Sequence, residues 1–427
     1  MSQDTLPPEP RMLGRYQLVE PLGQGGMGEV WLAKLSGAAG FEKPCIVKTV
    51  LPALAKDPSF VQRFQHEAKV LVHLSHAGIA QVYDMGEAQG SLYMALEYVP
   101  GVNLGTLTEQ VLAKGERIPV RVALAIACQA AEGLAYAHTK VAPDGTPLQV
   151  VHRDVSPQNV MVGFEGEVKV IDFGIARSAA RSQATQTATV MGKLGYMAPE
   201  QARAEALDAR ADAYALAVVL WELLTLTAYV PPGTVGEMMA AMVTATAARP
   251  LRSLRAEVDE ALEAALLKAL APRKEDRYPT TEAFAAALQA ELRRLGGAPP
   301  RSELGAWVKS SCSSAFEANQ RLLSRITSVK HQATTEVPTM TDPSPQGLRP
   351  LNTNEAIASI QRPKWPLALA ALGALAALGA AGYFLVLAPK PLDPAPTLPS
   401  PSATAAPTAP TGAKPVVPPT TAAPGPG

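Results

Sequence analysis

The stretch that decides the fold is His152-Arg153-Asp154-Val155-Ser156-Pro157-Gln158-Asn159, which is followed at a short distance by Asp172-Phe173-Gly174. The carboxylate of Asp154 can take a proton from an attacking hydroxyl. The amide of Asn159 and the carboxylate of Asp172 can together hold a magnesium ion on a nucleoside triphosphate, because hard oxygen donors suit that ion. Phosphoryl transfer requires these parts, since its catalysis consists mostly of positioning and charge neutralisation.

With these two motifs the chain resembles the eukaryotic-like (Hanks-type) protein kinases, in their bacterial serine/threonine branch. The resemblance covers roughly residues 16–295, about two-thirds of the chain. It implies an α+β fold with two lobes, a small β-rich lobe followed by a larger helical lobe, whereas composition alone predicts only α+β. The implied activity is transfer of the ATP γ-phosphate to serine and threonine hydroxyls of proteins, with Mg²⁺ or Mn²⁺ as the metal.

Hydrophobic periodicity agrees with this order of lobes. Short β-rich runs up to residue 99 surround one helical pattern at about 58–74, and the chain after Gly101 is mostly helical. We assign residues 1–13 to a flexible leader and residues 14–295 to the kinase domain. Four helices are predicted in the second lobe, at 120–138, 209–226, 259–270 and 281–295.

A glycine-rich run, Gly23-Gln24-Gly25-Gly26-Met27-Gly28-Glu29-Val30, fits the pattern GxGxxGxV, which dinucleotide-binding turns share. Such a turn requires a helix directly after the glycines, whereas Val30-Trp31-Leu32-Ala33 is typical of a strand. The pattern therefore favours a β-hairpin whose backbone N–H groups cover phosphate oxygens. The predicted nucleotide-binding residues of this hairpin are Leu22, Gly23, Gln24, Gly25, Gly26, Met27, Gly28 and Val30.

The resemblance also implies the remaining nucleotide contacts. Lys48 occupies the position of the family's strand lysine, whose ammonium binds the α- and β-phosphates and pairs with a carboxylate on the next helix. Glu67 is the candidate partner. Leu96 would be the gatekeeper, and the backbone groups of Glu97 and Val99 would bind adenine.

In the catalytic segment the resemblance makes Asp154 the general base, or the group that orients the substrate hydroxyl. It makes Asn159 and Asp172 the metal ligands. His152 and Phe173 are expected to pack rather than to react.

Three further residues are implied to hold the scaffold. Glu200, in Met197-Ala198-Pro199-Glu200, would form a buried salt bridge with Arg277. Asp212 would hydrogen-bond the backbone of the catalytic loop.

Two positions depart from the family pattern. Serine/threonine kinases usually carry Lys two residues after the catalytic Asp, where this chain has Ser156. They also usually carry Thr just after the glycine that opens the segment before Ala198-Pro199-Glu200, where this chain has Lys193 after Gly192. Since these positions lie close together in the family, we hypothesise a swap in which Lys193 supplies the ammonium near Asp154 and Ser156 supplies the hydroxyl. The alternative is that Lys193 points to solvent and activity is lower.

Composition limits the classes of partner and compartment. Lys plus Arg and Asp plus Glu each number 38, so the zero formal net charge gives no argument for a nucleic-acid partner, and none is expected. The three cysteines, Cys45, Cys128 and Cys312, lack CxxC spacing, which favours neither a disulfide framework nor a zinc site. Reduced thiols fit a cytoplasmic catalytic part.

An apolar run late in the chain predicts a membrane anchor. No charged residue lies between Lys364 and Lys390, and about 20 helical residues cross a hydrocarbon core. Pro-rich segments flank this run, which favours one transmembrane helix at 364–388 over a buried helix of a soluble domain. The Lys/Arg bias is weak, but ATP is cytoplasmic. We therefore expect a single-pass protein of the cell membrane with its kinase domain in the cytoplasm.

Residues 296–363 are predicted to be a juxtamembrane linker, mostly disordered. Within it, apolar residues between Glu303 and Ile326 leave three alternatives open: an amphipathic helix docked on the kinase, the same helix docked on the membrane, or weak transient structure. The tail at 389–427 is rich in Pro, Ala and Thr and too poor in large apolar groups to fold.

Two features concern control. The loop from Ile175 to Met191 contains several hydroxyl residues, among which Thr185, Thr187 and Thr189 are the candidates for autophosphorylation. Small residues at four-residue spacing in the predicted membrane helix permit close packing and hence a homodimer. They are Ala370, Gly373, Ala374, Ala377 and Ala381.

Two rival functions remain. A pseudokinase or scaffold would bind nucleotide or partners without transfer, and Ser156 is the feature in its favour. A receptor would bind a ligand through its outer tail. The tail lacks a core that could fold, which argues against this function.

Overall fold

The computed structural model describes residues 11–25, 28–37, 41–173, 193–244 and 250–328. Most of the predicted leader, the loop at 175–191, the membrane helix and the tail lie outside these residues.

The first lobe is built on a six-stranded antiparallel sheet in the order β1-β2-β3-β4-β6-β5. One face of this sheet buries a small core that includes Tyr16, Cys45 and Val47. The strands are β1 (Met12–Leu13), β2 (Tyr16–Gly25), β3 (Gly28–Ser36), β4 (Glu42–Thr49), β5 (Val82–Ala88) and β6 (Ser91–Glu97).

The helices of this lobe lie between β4 and β5. They are α1, Pro52–Ala55, and α2, Pro58–Leu71. Asp57 caps α2 by accepting a hydrogen bond from the backbone N–H of Ser59, which satisfies one of the free donors at the start of a helix. Phe60, Phe64 and Ala68 recur at four-residue spacing and are buried in the larger core, so the predicted periodicity identifies the inner face correctly.

A three-stranded sheet and a set of helices form the second lobe. The small sheet has the order β7-β8-β9. Its strands are β7 (Gly101–Asn103), β8 (Val160–Gly163) and β9 (Val168–Val170). The helices of the lobe are α3 (Leu104–Ala113), α4 (Val120–Thr139), α5 (Pro199–Ala202), α6 (Arg210–Thr225), α7 (Val235–Thr244), α8 (Leu251–Leu254), α9 (Glu260–Ala269) and α10 (Thr281–Arg294).

At the centre of this lobe α4 packs against α6 and α10. Both α4 and α6 are buried along most of their length, as expected for helices whose apolar residues lie on all sides. Among the described helices, α4 is the one that is long and apolar enough to cross a membrane, but 67% of its apolar window is buried inside the lobe. It is a core helix. The four helices predicted here agree with α4, α6, α9 and α10 to within one residue at each end.

Two more helices follow the second lobe, α11 (Arg301–Ser311) and α12 (Ser313–Ser328). The prediction that a mostly disordered linker begins at residue 296 differs from the structure here, because α11 packs against α3 and β8. Leu304, Val308 and Cys312 are buried in the core of the lobe. Because these residues recur every four positions, they form one apolar stripe along α11. This stripe is buried against the surface of the helical lobe. Of the three alternatives, the structure has a helix docked on the kinase domain.

Candidate active site

The catalytic loop between α4 and β8 is fixed by a buried carboxylate of α6. Asp212 accepts hydrogen bonds from the backbone N–H groups of His152, at 2.7 Å, and Arg153, at 2.8 Å. The ring of His138 lies 2.7 Å from the same carboxylate. Burial raises the pKa of Asp212, but the contacts with His138 and His152 outweigh it, so that the pKa of this carboxyl is lowered. Asp212 therefore stays charged and anchors the loop, as the sequence predicts.

Anchoring matters because the loop is strained. Arg153 has a φ of 64° and Asp172 a φ of 60°, in the left-handed region that costs energy for residues other than glycine. Such conformations persist where surrounding contacts determine them. The two strained residues lie beside the predicted base and at the predicted metal ligand.

Asp154 lies in contact with both a cation and an amide. Lys193 donates a hydrogen bond from Nζ to Oδ2 of Asp154 over 2.7 Å. Asn159 donates from Nδ2 to the backbone carbonyl oxygen of Asp154, at 2.7 Å, and to Oδ2, at 3.0 Å. The structure thus brings Lys193, which follows the predicted activation loop, to the predicted base.

Ser156 differs from Lys193 in this respect. Its side chain is fully buried, and its hydroxyl has no hydrogen-bond partner within the described residues. The contact of Lys193 with Asp154 therefore supports the part of the swap hypothesis that concerns Lys193. No contact of the Ser156 hydroxyl within the described residues supports the other part.

The two predicted metal ligands are joined through the backbone. Ile171 donates its N–H to the carbonyl oxygen of Asn159 over 2.9 Å, which links the catalytic loop to the residue before Asp172. The rings of His152 and Phe173 pack with centroids 4.6 Å apart, so these two residues have the packing role that was expected.

The chemistry of these donors fits a divalent cation. Because Asn159 directs its amide nitrogen at Asp154, its amide oxygen remains for a metal, together with the carboxylate of Asp172. No group of three His, Cys, Asp or Glu side chains in the described ranges could hold a metal by itself. Two protein oxygens suit Mg²⁺, which is usually bound by one or two side chains together with substrate phosphates.

Lys48 reaches this site from the β-rich lobe. It lies on β4 opposite Val30 of β3, and its ammonium forms an ion pair with Asp172. The predicted partner, Glu67, lies on α2, but its side chain is outside the described part of the structure. The pair of Lys48 and Glu67 therefore stays a prediction.

The glycine-rich run forms the hairpin between β2 and β3. Gly23 pairs with Val30 and Gln24 with Glu29, and Gly28 begins a strand rather than a helix. Leu22 is exposed beside it, whereas Gly26 and Met27 lie outside the described residues. The β-hairpin interpretation was therefore correct. Glycine is required at position 28, since a Cβ there would lie 1.7 Å from the carbonyl oxygen of Thr49.

The segment between the lobes carries a contact that the sequence did not predict. The carboxylate of Glu97 accepts hydrogen bonds from Lys169, at 3.0 Å, and from the backbone N–H of Gln81, at 3.1 Å. Val99 is buried. The side chain of Glu97 thus ties the predicted adenine-binding segment to β9, although only its backbone had been assigned a role.

A small cavity opens beside Asp154 and Lys193 and is also lined by Tyr196 and Met197. Tyr196 donates its hydroxyl to Oε2 of Glu222 over 2.6 Å. Burial raises the pKa of Glu222. The cavity adjoins the predicted base, where an acceptor hydroxyl would have to enter.

The predicted scaffold pair is also present. Arg277 donates to both carboxylate oxygens of Glu200 over 2.8 Å, and both side chains are 1% exposed. The guanidinium lies over the ring of Tyr214, with 4.7 Å between its central carbon and the ring centroid.

Comparison with known proteins identifies the family to which this chain belongs. Residues 16–287 match the family model described as protein kinase domain. The tyrosine-protein kinase MasK of Myxococcus xanthus is 43% identical over 298 residues, which are 69% of this chain and 46% of MasK.

Two relatives are serine/threonine-protein kinases by name. PknB of Mycobacterium tuberculosis is 40% identical over 297 residues, 67% of this chain and 44% of PknB. PrkC of Bacillus subtilis is 34% identical over 273 residues, 64% of this chain and 40% of PrkC. The chain therefore spans less than half the length of each of these relatives.

Proposed function

The chain belongs to the protein kinase family, and on this premise we propose that it transfers the γ-phosphate of ATP to hydroxyl groups of proteins in bacterial signal transduction. The observation that carries the proposal is the convergence of Lys193 and Asn159 on the carboxylate of Asp154. A carboxylate oriented in this way can accept the proton of an acceptor hydroxyl in the adjoining cavity.

Charge at the site supports the same reaction. The ammonium of Lys193 would lie near the transferred phosphoryl group and oppose its developing negative charge. Lys48 would bind the α- and β-phosphates from the opposite lobe, and the hairpin from Gly23 to Gly28 would cover the phosphates with backbone N–H groups. The metal, Mg²⁺ or Mn²⁺ held by Asn159 and Asp172, would neutralise phosphate charge when bound.

Serine and threonine are the acceptors that we propose first. The names of PknB and PrkC support them, and Pro157-Gln158-Asn159 resembles the serine/threonine type of catalytic loop. Tyrosine is the second candidate, since MasK is named a tyrosine-protein kinase and its identity to this chain is higher than that of PknB. Phosphoamino-acid analysis of the autophosphorylated full-length chain separates the two.

A pseudokinase is the rival that activity decides. Purified full-length protein with radiolabelled ATP should label itself or a protein acceptor, whereas the Asp154→Asn variant should not. Nucleotide binding without label transfer by the native protein would overturn the proposal.

We further propose that residues 364–388 anchor the protein as a single membrane-spanning helix, with the kinase domain in the cytoplasm. The uncharged apolar run supports this, and its small residues support a homodimer. Membrane fractionation of cells that express the full chain, followed by protease treatment of right-side-out vesicles, tests it. Recovery in the soluble fraction, or cleavage of the kinase domain from outside, would contradict it.

Autophosphorylation on Thr185, Thr187 or Thr189 is the proposed control, since a phosphate adds nearly two negative charges that could order the loop against nearby cations such as Arg153. These residues lie outside the described part of the structure. Peptide mass mapping before and after phosphatase treatment, with the activity of both samples, would show whether the loop is modified and whether modification changes the rate.

A further inference from the structure

The first helix after the kinase domain, α11, makes close backbone contact with the helical lobe. A Cβ at Gly305 of α11 would lie 2.6 Å from the carbonyl oxygen of Phe164, and a Cβ at Gly166 would lie 2.0 Å from that of Arg301. Lys114, directly after α3, donates to the carbonyl oxygen of Ser310 over 2.6 Å. Helix α11 therefore packs against the turn between β8 and β9 and against the end of α3.

From this seat α12 runs to the segment that joins the lobes. Phe316 packs edge-on against Phe164, with ring centroids 5.0 Å apart. Asn319 donates a hydrogen bond from its side-chain amide to the hydroxyl of Tyr98. Tyr98 lies between Glu97 and Val99, the two residues predicted to bind adenine through their backbone groups.

The end of α12 reaches the β-rich lobe. The helix packs against β4 as well as β7. Arg325 donates to Oε2 of Glu20 over 2.5 Å, and the neighbouring Ile326 is 3% exposed. Glu20 belongs to β2, the strand that leads into the glycine-rich hairpin.

One helix is thus attached to the helical lobe, to the joining segment and to the nucleotide-covering strand. We propose that α12 is an interlobe brace, in which Asn319 and Arg325 are positioning residues that hold Tyr98 and β2 in the geometry that binds ATP. This inference rests on the proposed function, since it assigns the brace to the nucleotide site of the same kinase.

The hydrogen bond of Asn319 and the ion pair of Arg325 should adjust the affinity for ATP rather than determine whether ATP binds. The pair of Arg325 and Glu20 is partly exposed, with side chains 62% and 34% accessible, and exposed ion pairs are individually weak. Removal of both polar attachments should therefore weaken ATP binding by a modest factor. The apolar seat of α11 and Phe316 would keep the helices docked.

The test uses the full-length chain with Asn319→Ala and Arg325→Ala combined. We expect the KM for ATP and the Kd for Mg·ATP, measured by calorimetry, to rise about three- to tenfold, with kcat within about twofold of the native value. Arg321→Ala is the matched control, because Arg321 is 71% exposed on the same helix and forms its ion pair with Glu317, which is also on α12. It should leave both constants unchanged.

Charge reversal provides a rescue. Glu20→Arg and Arg325→Glu should each raise the KM for ATP, and the double variant should recover most of the loss. A lower melting temperature with unchanged KM and Kd would show that α12 only stabilises the fold, and it would overturn the inference.

Hydrogen exchange separates failure of the brace from failure of the proposed function. Amides of residues 97–99 and of β2 should exchange faster in the Asn319→Ala, Arg325→Ala protein than in the Arg321→Ala control, whether or not phosphate is transferred. Equal exchange in the two variants would contradict the brace even in an active kinase. An inactive native protein with faster exchange in the variant would contradict the proposed function alone.

Discussion

Lys193 donates a hydrogen bond to Oδ2 of Asp154 over 2.7 Å, although 39 positions separate the two residues in the chain. The side chains are 25% and 17% exposed, so the pair is largely shielded from solvent. An ammonium in this place can assist phosphoryl transfer in the absence of the lysine that the family usually has at the position of Ser156.

The first prediction concerns this ammonium. Lys193→Ala should lower kcat by about 100- to 1,000-fold, the range for removal of one donor that faces developing charge, with a smaller effect on the KM for ATP. Steady-state phosphorylation of a protein acceptor measures both constants. Lys56→Ala, at an exposed lysine of the β-rich lobe, is the control. Native turnover in Lys193→Ala would reject the role of Lys193.

The swap hypothesis adds a rescue experiment. Lys193→Thr combined with Ser156→Lys recreates the family's usual arrangement and should recover part of the activity that Lys193→Thr loses. Because Ser156 is fully buried, the melting temperature of each variant must be compared. A stable, folded double variant that is no more active than Lys193→Thr would contradict the hypothesis.

The second prediction is a pH dependence at Glu222. Burial raises the pKa of this carboxyl above its ordinary value of 4.5, so the folded protein holds the proton more tightly than the unfolded chain does. The associated penalty on stability is absent below about pH 4.5 and grows as the pH rises through the pKa of the folded state. Glu222→Gln should therefore gain in melting temperature relative to native protein as the pH rises from 4.5 to 8. A constant difference between the two proteins over this range would contradict the raised pKa.

The third prediction concerns the buried pair of Glu200 and Arg277. Removing one partner leaves an uncompensated buried charge, so Glu200→Ala should lower the free energy of unfolding by about 3–5 kcal/mol. Glu205→Ala is the matched control in the same region, because its ion pair with Arg203 is exposed and worth about 0–1 kcal/mol. Urea denaturation measures both. Equal effects of the two substitutions would mean that the pair of Glu200 and Arg277 is not buried in solution.

The fourth prediction compares two helical glycines. Gly305→Ala places a Cβ 2.6 Å from the carbonyl oxygen of Phe164, so it should destabilise the seat of α11 by about 1–3 kcal/mol. Gly236→Ala in α7 meets no atom within 4 Å and should stabilise by about 0.5–1 kcal/mol. Opposite shifts of melting temperature are expected. Stabilisation by both substitutions would show that α11 does not dock there.

The sequence predicted most of what depends on short motifs and periodicity. The strand after the glycines and the four predicted helices of the second lobe agree with the structure. So do the hydrogen bonds of Asp212 to the loop backbone and the pair of Glu200 and Arg277. Local spacing determines a helix, and a motif of fixed order constrains which groups meet.

What the sequence could not predict depends on surfaces that meet across the chain. The apolar residues between Glu303 and Ile326 do not show whether a stable helix forms or which surface would cover it, so docking on the kinase domain remained one of three alternatives. The contacts of Glu97 with Lys169 and of Asp212 with His138 join ordinary charged or polar residues that are distant in sequence, for which no local pattern exists. Burial of Ser156 likewise depends on the packing around it rather than on its neighbours in the chain.

The most direct test of the central claim is transfer of radiolabelled γ-phosphate from ATP to protein by the full-length chain, with Asp154→Asn and Asp172→Ala beside it. The native protein should transfer label only with Mg²⁺ or Mn²⁺ present. Asp154→Asn, which lacks the base, should be slower by about 100- to 10,000-fold, and Asp172→Ala, which lacks a metal ligand, should also be slower than native protein. Transfer that persists after the divalent cation is chelated, or native rates in either variant, would contradict the assignment of these two carboxylates.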